Sequence, residues 1–211
     1  MNVFTSKNLQ ALPSRKRATL INAISGIRSA NLIATRGDAG TNLSVFNSVT
    51  HLGSSPALLG MVFRPLSVER HTYSNIKNYK DFTINAITTA MVPKAHQTSA
   101  KYPEGVSEFD AVGFQPLFRE ETHVPFVEGS PIQVLCTYSQ EHELENQCIL
   151  LTASIKAIWI DERGLSKDHF VNHEQLQTVG IGGLDAYYTT RLEGRYAYAK
   201  PDQPTTKINQ V

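Results

Sequence analysis

The sequence contains very little cysteine and almost no net charge, and each shortage excludes a class of protein. Cys136 and Cys148 are the only two cysteines among 211 residues, which is too few for a disulfide framework and lacks the spacing of a zinc site. Lysine and arginine (20) nearly balance aspartate and glutamate (19), so no overall field attracts nucleic acid or anionic lipid. We therefore expect no nucleic-acid partner, and any bound anion must be held by a local cluster.

Long apolar runs and several common functional motifs are also missing. No uninterrupted apolar run approaches the roughly 18 residues that span a bilayer, and the basic start MNVFTSKNLQALPSRKR has no apolar stretch behind it. There is no glycine-rich dinucleotide fingerprint after a strand and no GxSxG nucleophile elbow. Of the histidines, only His169 and His173 have a spacing used by metal sites, on a short polar segment. We expect a cytoplasmic protein without a membrane segment or a bound metal.

Short β-like segments in mixed order predict a mainly β fold with peripheral helices. The segments NLIAT, NLSVFNSV and ALLGMVF are separated by RGDAGT and HLGSSP, both typical of turns. A helix over 67–77, capped by Ser67, is predicted to follow them. Because strict βαβ alternation does not occur, we expect an antiparallel barrel with helices around it.

Two long segments with alternating apolar residues predict a hairpin in the second half of the chain. IQVLCTY and CILLTASIKAIWI flank the acidic stretch SQEHELENQ, and a hairpin symmetric about His142 would put Cys136 opposite Cys148 as reduced core thiols. We divide the chain into an N-terminal arm (1–30), a barrel domain (31–200) and a flexible C-terminal tail (201–211).

The first candidate site is the strand TNLSVFNSV, in which polar and apolar side chains interleave. A flavin ring needs an apolar surface for one edge and amide-type donors and acceptors for the other, and this strand offers both. An ordinary amphipathic strand with its polar face in water remains the alternative. The candidate contacts are Asn42, Ser44, Val45, Phe46, Asn47 and Ser48.

Two further candidates are rich in basic and hydroxyl groups. In FRPLSVERHTYSNI, four residues lie at or before a predicted helix start, where free N–H groups favour a phosphate: Arg64, Arg70, His71 and Thr72. In KAHQTSAK, Ser99 and Lys101 lie on a segment able to close over a ligand. A solvated helix end and a polar surface loop are the respective alternatives.

The order of these motifs resembles the flavin reductase-like family of split-barrel proteins that bind flavin mononucleotide (FMN), and most closely its flavoredoxin-like branch. The matching segments are TNLSVFNSV, RHTYSNI, KAHQTSAK followed by SEF, and VGIGGLDAYY. They extend over most of residues 12–201 in the family's order, which is more specific than any single motif. Many relatives carry proline or alanine where Val45 stands and serine where Asn47 stands. Contacts at these two positions would therefore be made by the backbone.

The resemblance implies a split β-barrel, usually a homodimer with each FMN near the subunit interface. The ring would lie along residues 42–48, the phosphate would meet Arg70, His71 and Thr72, and Ser99 and Lys101 would close over it. The implied function is an oxidoreductase that passes electrons from NAD(P)H or another donor through FMN to an unidentified acceptor, with no catalytic side chain nominated. A non-enzymatic FMN-binding electron carrier and a barrel that has lost its flavin are the alternatives.

Overall fold

A computed structural model describes residues 1–103, 105–120 and 122–208, and it contains many more strands than helices. The helices are α1 (Ser6–Ala11), α2 (Ser14–Ile24), α3 (His71–Tyr79), α4 (Val92–Gln97) and α5 (Glu108–Val112), with short 3₁₀ turns at Thr89–Met91 and Glu162–Gly164. The strands are β1 (Ile27–Ser29), β2 (Asn31–Gly37), β3 (Gly40–Phe46), β4 (Thr50–Ser54), β5 (Ala57–Phe63), β6 (Asp81–Ala86), β7 (Pro116–Arg119), β8 (Thr122–Val127), β9 (Ile132–Glu143), β10 (Ile149–Ile160), β11 (Val179–Gly182), β12 (Ala186–Thr189), β13 (Arg195–Tyr196) and β14 (Lys207–Ile208).

Seven antiparallel strands form the main sheet, in the order β3-β2-β6-β9-β10-β5-β4. The sheet is not closed, so β3 and β4 are its two edges. The side chain of Ser48, in the link between these edges, donates to the Val62 carbonyl at 3.0 Å and accepts from the Val62 N–H at 3.1 Å. The predicted mainly β split barrel with peripheral helices is therefore confirmed.

The main sheet has a hydrophobic core on each face. The inner core fills the barrel and contains Ile33, Met61, Phe63, Ile76, Phe82, Ile84, Val134, Cys136, Leu151 and Ala153. The outer core lies under α4, α5 and β11 and contains Ala30, Leu32, Ala34, Leu43, Ile87, Ala95, Phe109, Phe114, Val127, Val179 and Ile181. Since side chains alternate along a strand, β2 and β3 contribute to both cores and form the wall between them.

The hairpin of β9 and β10 is present, but its predicted symmetry about His142 is wrong. The turn lies further along the chain, where the Leu144 N–H bonds to the Cys148 carbonyl and Gln147 has a φ of 64°. With two register shifts in the ladder, Cys136 pairs with Ile155 rather than with Cys148. Residues 139–143, the first part of the acidic stretch, continue β9 because a paired strand accepts polar side chains where its faces meet water.

Two predicted boundaries also change. The helix after β5 begins at His71, with Arg70 at its N-cap, and not at Ser67. Val68 is exposed while Ile76 is buried, so the four residues before His71 have no core contact to hold a helical turn. The stretch predicted as a turn at HLGSSP contains most of β4, whose largely exposed residues lack the apolar alternation of a core strand.

The two ends of the chain make their own contacts. Every side chain of α1 and α2 retains exposed or half-exposed surface, and β1 joins the arm to the body by pairing with β11. In the predicted tail, β14 pairs with β13, while residues 209–211 lie outside the described part. Among the described residues, no helix is long and apolar enough to cross a membrane.

The positions of the two thiols predict different reactivities. Burial, with a smaller contribution from Asp81, raises the pKa of Cys136 to about 12, whereas Cys148 is half-buried near the turn. Since the thiolate is the reactive form, titration with an aromatic disulfide reagent at pH 8 should detect one fast thiol in the native protein and two after unfolding. A Cys148→Ser variant should show no fast thiol, and a fast reaction in that variant would contradict the burial of Cys136.

Candidate functional site

The buried side chain of Asn42 connects three motifs that are far apart in the sequence. Its Nδ2 donates to Glu108 Oε2 at 2.7 Å, and its Oδ1 accepts from Thr72 Oγ1 at 2.8 Å. Glu108 Oε2 also accepts from the Leu43 N–H at 2.9 Å. The beginnings of α3 and α5 are thus both bonded to β3.

Further hydrogen bonds extend this network to β2. Thr35 Oγ1 contacts Asn42 Oδ1 at 3.4 Å and accepts from Asn75 Nδ2 at 3.0 Å. A β-carbon on Gly37 would come within 2.2 Å of Asn75 Oδ1, so glycine is required for this close approach. We call Thr35, Asn42, Thr72, Asn75 and Glu108 the Asn42 network; it holds β2, β3, α3 and α5 in one arrangement.

Strand β3 leaves part of its backbone edge uncovered. The bond to Glu108 shows that the Leu43 N–H points away from β2, and alternation in an antiparallel strand gives Val45 the same orientation. In the described chain, no hydrogen bond joins the Val45 N–H or carbonyl to a group outside the sheet. Further on, Asn47 Nδ2 donates to the Gly183 carbonyl at 2.8 Å. An open peptide donor and acceptor therefore lie between two anchored ends.

The N-terminus of α3 lies beside this strand and has unused donors. The first N–H groups of a helix have no partner within it, and no capping side chain occupies them among the described residues. The buried Nε of Arg70, the N-cap residue, likewise has no hydrogen-bond partner in the described ranges. A polar cleft of about 190 Å³ opens here, lined in part by Thr41, Asn42, Glu69 and His71. Helix N–H groups suit an anion and the Glu69 carboxylate opposes it. Arg70 stands in the chain between the lining residues Glu69 and His71 but does not itself line the cleft.

The other predicted site residues lie in different surroundings. Phe46 packs edge-on against Phe63 with ring centroids 5.2 Å apart, and Ser44 is half-buried on the same face of β3. Ser48 is engaged with Val62, as described above. The exposed residues are Arg64, Ser99 and Lys101; nothing in the described chain connects their side chains to the Asn42 network by a hydrogen bond.

Sequence reasoning did not assign roles to several residues of the site. Ser107 and Glu108 lie in a matching segment, yet nothing in their spacing indicates that they meet Thr41 and Asn42 (Ser107 Oγ is 2.8 Å from Thr41 Oγ1). His96 Nδ1 lies 3.2 Å from the Tyr187 hydroxyl and joins α4 to β12; burial raises the pKa of that tyrosine. The only signal for these pairs is the shared order of the motifs.

A protein-family match covers most of the chain. Residues 28–179 match the family described as the flavin reductase like domain. A solved structure from Shewanella frigidimarina NCIMB 400, named as a flavin reductase with a split-barrel domain, shares 37% sequence identity with this chain. The two superpose with a TM-score of 0.89. That superposition covers 94% of this chain and 100% of the other.

More distant solved structures share the fold. The flavoredoxin of Desulfovibrio vulgaris (Miyazaki F) has 20% identity and a TM-score of 0.68, over 83% of this chain and 91% of its own. An FMN-binding protein of Thermus thermophilus with bound 1-cyclohex-2-enone has 16% identity and a TM-score of 0.74, over 95% of this chain and 100% of its own. Because the family match covers more than half of the sequence, this protein belongs to the flavin reductase-like family of split-barrel proteins.

Proposed function

We propose that this protein binds FMN, with the ring along β3 and the phosphate at the start of α3, and acts as a flavin-dependent oxidoreductase. The observation that carries the proposal is the open main chain of Val45 on β3, the strand whose Asn42 is bonded to the uncapped first turn of α3. The 2.8 Å bond between Thr72 and Asn42 joins these two elements. A molecule such as FMN requires a ring subsite and a phosphate subsite that keep a fixed distance and orientation relative to each other.

In the ring subsite, main-chain groups would recognise the polar edge of the flavin. The Val45 N–H and carbonyl supply the amide-type donor and acceptor, and the nearby Ser44 hydroxyl can supply another. Phe46 offers an apolar surface. The side chains of Asn42, Asn47 and Ser48 are already hydrogen-bonded within the protein, so their part is to hold the strand in place.

In the phosphate subsite, the α3 N–H groups and Arg70 would hold the charge. His71 opens this helix and lines the cleft, and Thr72 places the first turn against β3. The exposed Arg64, Ser99 and Lys101 would contribute from the rim. Recognition of the phosphate group in this way favours FMN over riboflavin, which lacks that group. One of the proteins that share the fold is named as an FMN-binding protein.

Bound FMN would supply hydride or electron transfer, and the protein would supply position and electrostatics. We propose NAD(P)H or another reductant as the electron donor and name no electron acceptor. We also propose that the protein is located in the cytoplasm. Because no catalytic side chain is required for this chemistry, a non-enzymatic FMN-binding electron carrier is the second candidate. The two candidates differ only in whether a nicotinamide reduces the bound flavin.

We also propose a homodimer, because one groove on the surface is lined mainly by apolar groups. A groove of about 450 Å³ has a mainly apolar floor that includes Val49, Leu59, Ile84 and Val134. At its rim, Ile27 is 58% exposed. Apolar surface gathered in one place is typical of an interface, and a second copy of the chain would cover it by twofold symmetry.

The main test is the colour and reactivity of the purified protein. With FMN added, it should show the visible absorption of a bound flavin, and that absorption should bleach under anaerobic conditions when NADH or NADPH is supplied. A flavin that binds but stays oxidised with both nicotinamides would favour the carrier. A colourless protein that fails to take up FMN would rule out the proposed function.

The phosphate subsite predicts a difference between two ligands. Arg70→Ala should weaken FMN binding by about tenfold or more, since it removes a charge-assisted contact, and should leave riboflavin binding nearly unchanged. Flavin fluorescence titration measures both affinities, with Arg191→Ala as an exposed control. Equal losses for the two ligands would mean that Arg70 acts on the structure rather than on the phosphate.

The proposed dimer predicts a mass twice that of the chain. Size-exclusion chromatography with light scattering should give a dimer for the wild type and a shift toward monomer for Ile27→Glu, since a buried unpaired carboxylate opposes association. Ile158→Glu on β10, where the isoleucine is 52% exposed, serves as the control. A monomeric wild type would exclude the homodimer.

A further inference from the structure

Glu108 occupies a position that decides how the polar groups of the Asn42 network are oriented. A carboxylate only accepts hydrogen bonds, so Asn42 must turn its amide NH₂ toward Glu108 and its carbonyl toward α3. That carbonyl then accepts the Thr72 hydroxyl at 2.8 Å. One buried carboxylate therefore sets the direction of bonds that run from α5 through β3 to the start of α3.

The same carboxylate also acts directly on the strand proposed to carry the ring. Because β3 is an edge of the main sheet, the Leu43 N–H faces away from β2, and Glu108 is its partner. The uncovered Val45 groups begin two residues further along. Two bonds to one carboxylate oxygen thus contribute to the position of these groups relative to α3.

Packing of α5 does not rest on Glu108 alone. Phe109 is completely buried in the outer core, and Ser107 contacts Thr41 independently. Removing the charge of Glu108 therefore leaves the helix anchored. What changes is the polar contact between β3 and α3, which also share the inner core because Phe46 and Tyr73 both pack on Phe63.

From this arrangement we propose that Glu108 is a positioning residue of the flavin site, which aligns the ring subsite on β3 with the phosphate subsite on α3. The proposal rests on the proposed function. It assigns Glu108 no contact with the flavin, and its effect passes through Leu43, Asn42 and Thr72.

The test compares Glu108→Leu with Glu108→Gln and with Asp110→Asn, an exposed carboxylate two residues along the same helix. Leucine offers no acceptor to the Leu43 N–H and the Asn42 amide, whereas the Gln amide oxygen can take the place of Oε2 and keep both bonds. We expect Glu108→Leu to weaken FMN and riboflavin alike, by about tenfold, and to alter the visible circular dichroism of the bound flavin, while Glu108→Gln retains most of both properties. Asp110→Asn should match the wild type. The shared loss distinguishes Glu108 from Arg70, whose removal should affect FMN alone.

A lower melting temperature for Glu108→Leu with unchanged affinities and an unchanged flavin spectrum would overturn the positioning role and leave the proposed function intact. A wild type that binds no flavin would overturn both. If Glu108→Leu does not fold, Thr72→Val breaks the same chain of bonds at α3, and an unaltered flavin dichroism in that variant would overturn the role. If both fold, the double variant should lose less affinity than the sum of the single losses, because the residues act through one network.

Discussion

The buried Asn42 amide is the interaction on which the candidate site depends. A polar group removed from water must find partners inside the protein, and Asn42 finds them on α3, α5 and β2 at once. Each of these elements carries part of the site, yet none of them needs the others for its own secondary structure. The requirement to satisfy one amide and one carboxylate therefore sets the spacing between the two proposed subsites.

The open sheet gives this interaction its setting. An edge strand presents unpaired N–H and carbonyl groups, which proteins usually cover. Here α5 covers β3 at Leu43 and the loop at Gly183 contacts Asn47, so the uncovered part is confined to the region of Val45. A closed barrel would pair those groups with a neighbouring strand. The split between β3 and β4 is thus the structural reason that an uncovered main-chain edge exists.

Patterns local in the sequence predicted most of the fold, but they did not predict the contacts that connect the candidate site. Alternating apolar residues indicated most strands of the main sheet, but they carry no information about the register shifts that separate Cys136 from Cys148. β4 was missed because an exposed edge strand needs no apolar alternation. The bond from Asn42 to Glu108 joins residues 66 positions apart, and no spacing rule connects them. Only the shared order of motifs indicated that these segments belong together.

Within β3, the side chains that hold the strand are separate from the main-chain groups proposed to contact the ring. Asn42, Asn47 and Ser48 use their side chains to fix the strand, while the proposed contact with the ring is made by the main chain at Val45. A peptide group presents the same donor and acceptor whatever side chain it carries, and the Val45 side chain points into the outer core. A valine at this position also keeps an N–H that a proline would lack. The residues whose side chains matter most for the proposed binding are therefore those that hold the strand and the helix, and Glu108 connects the two.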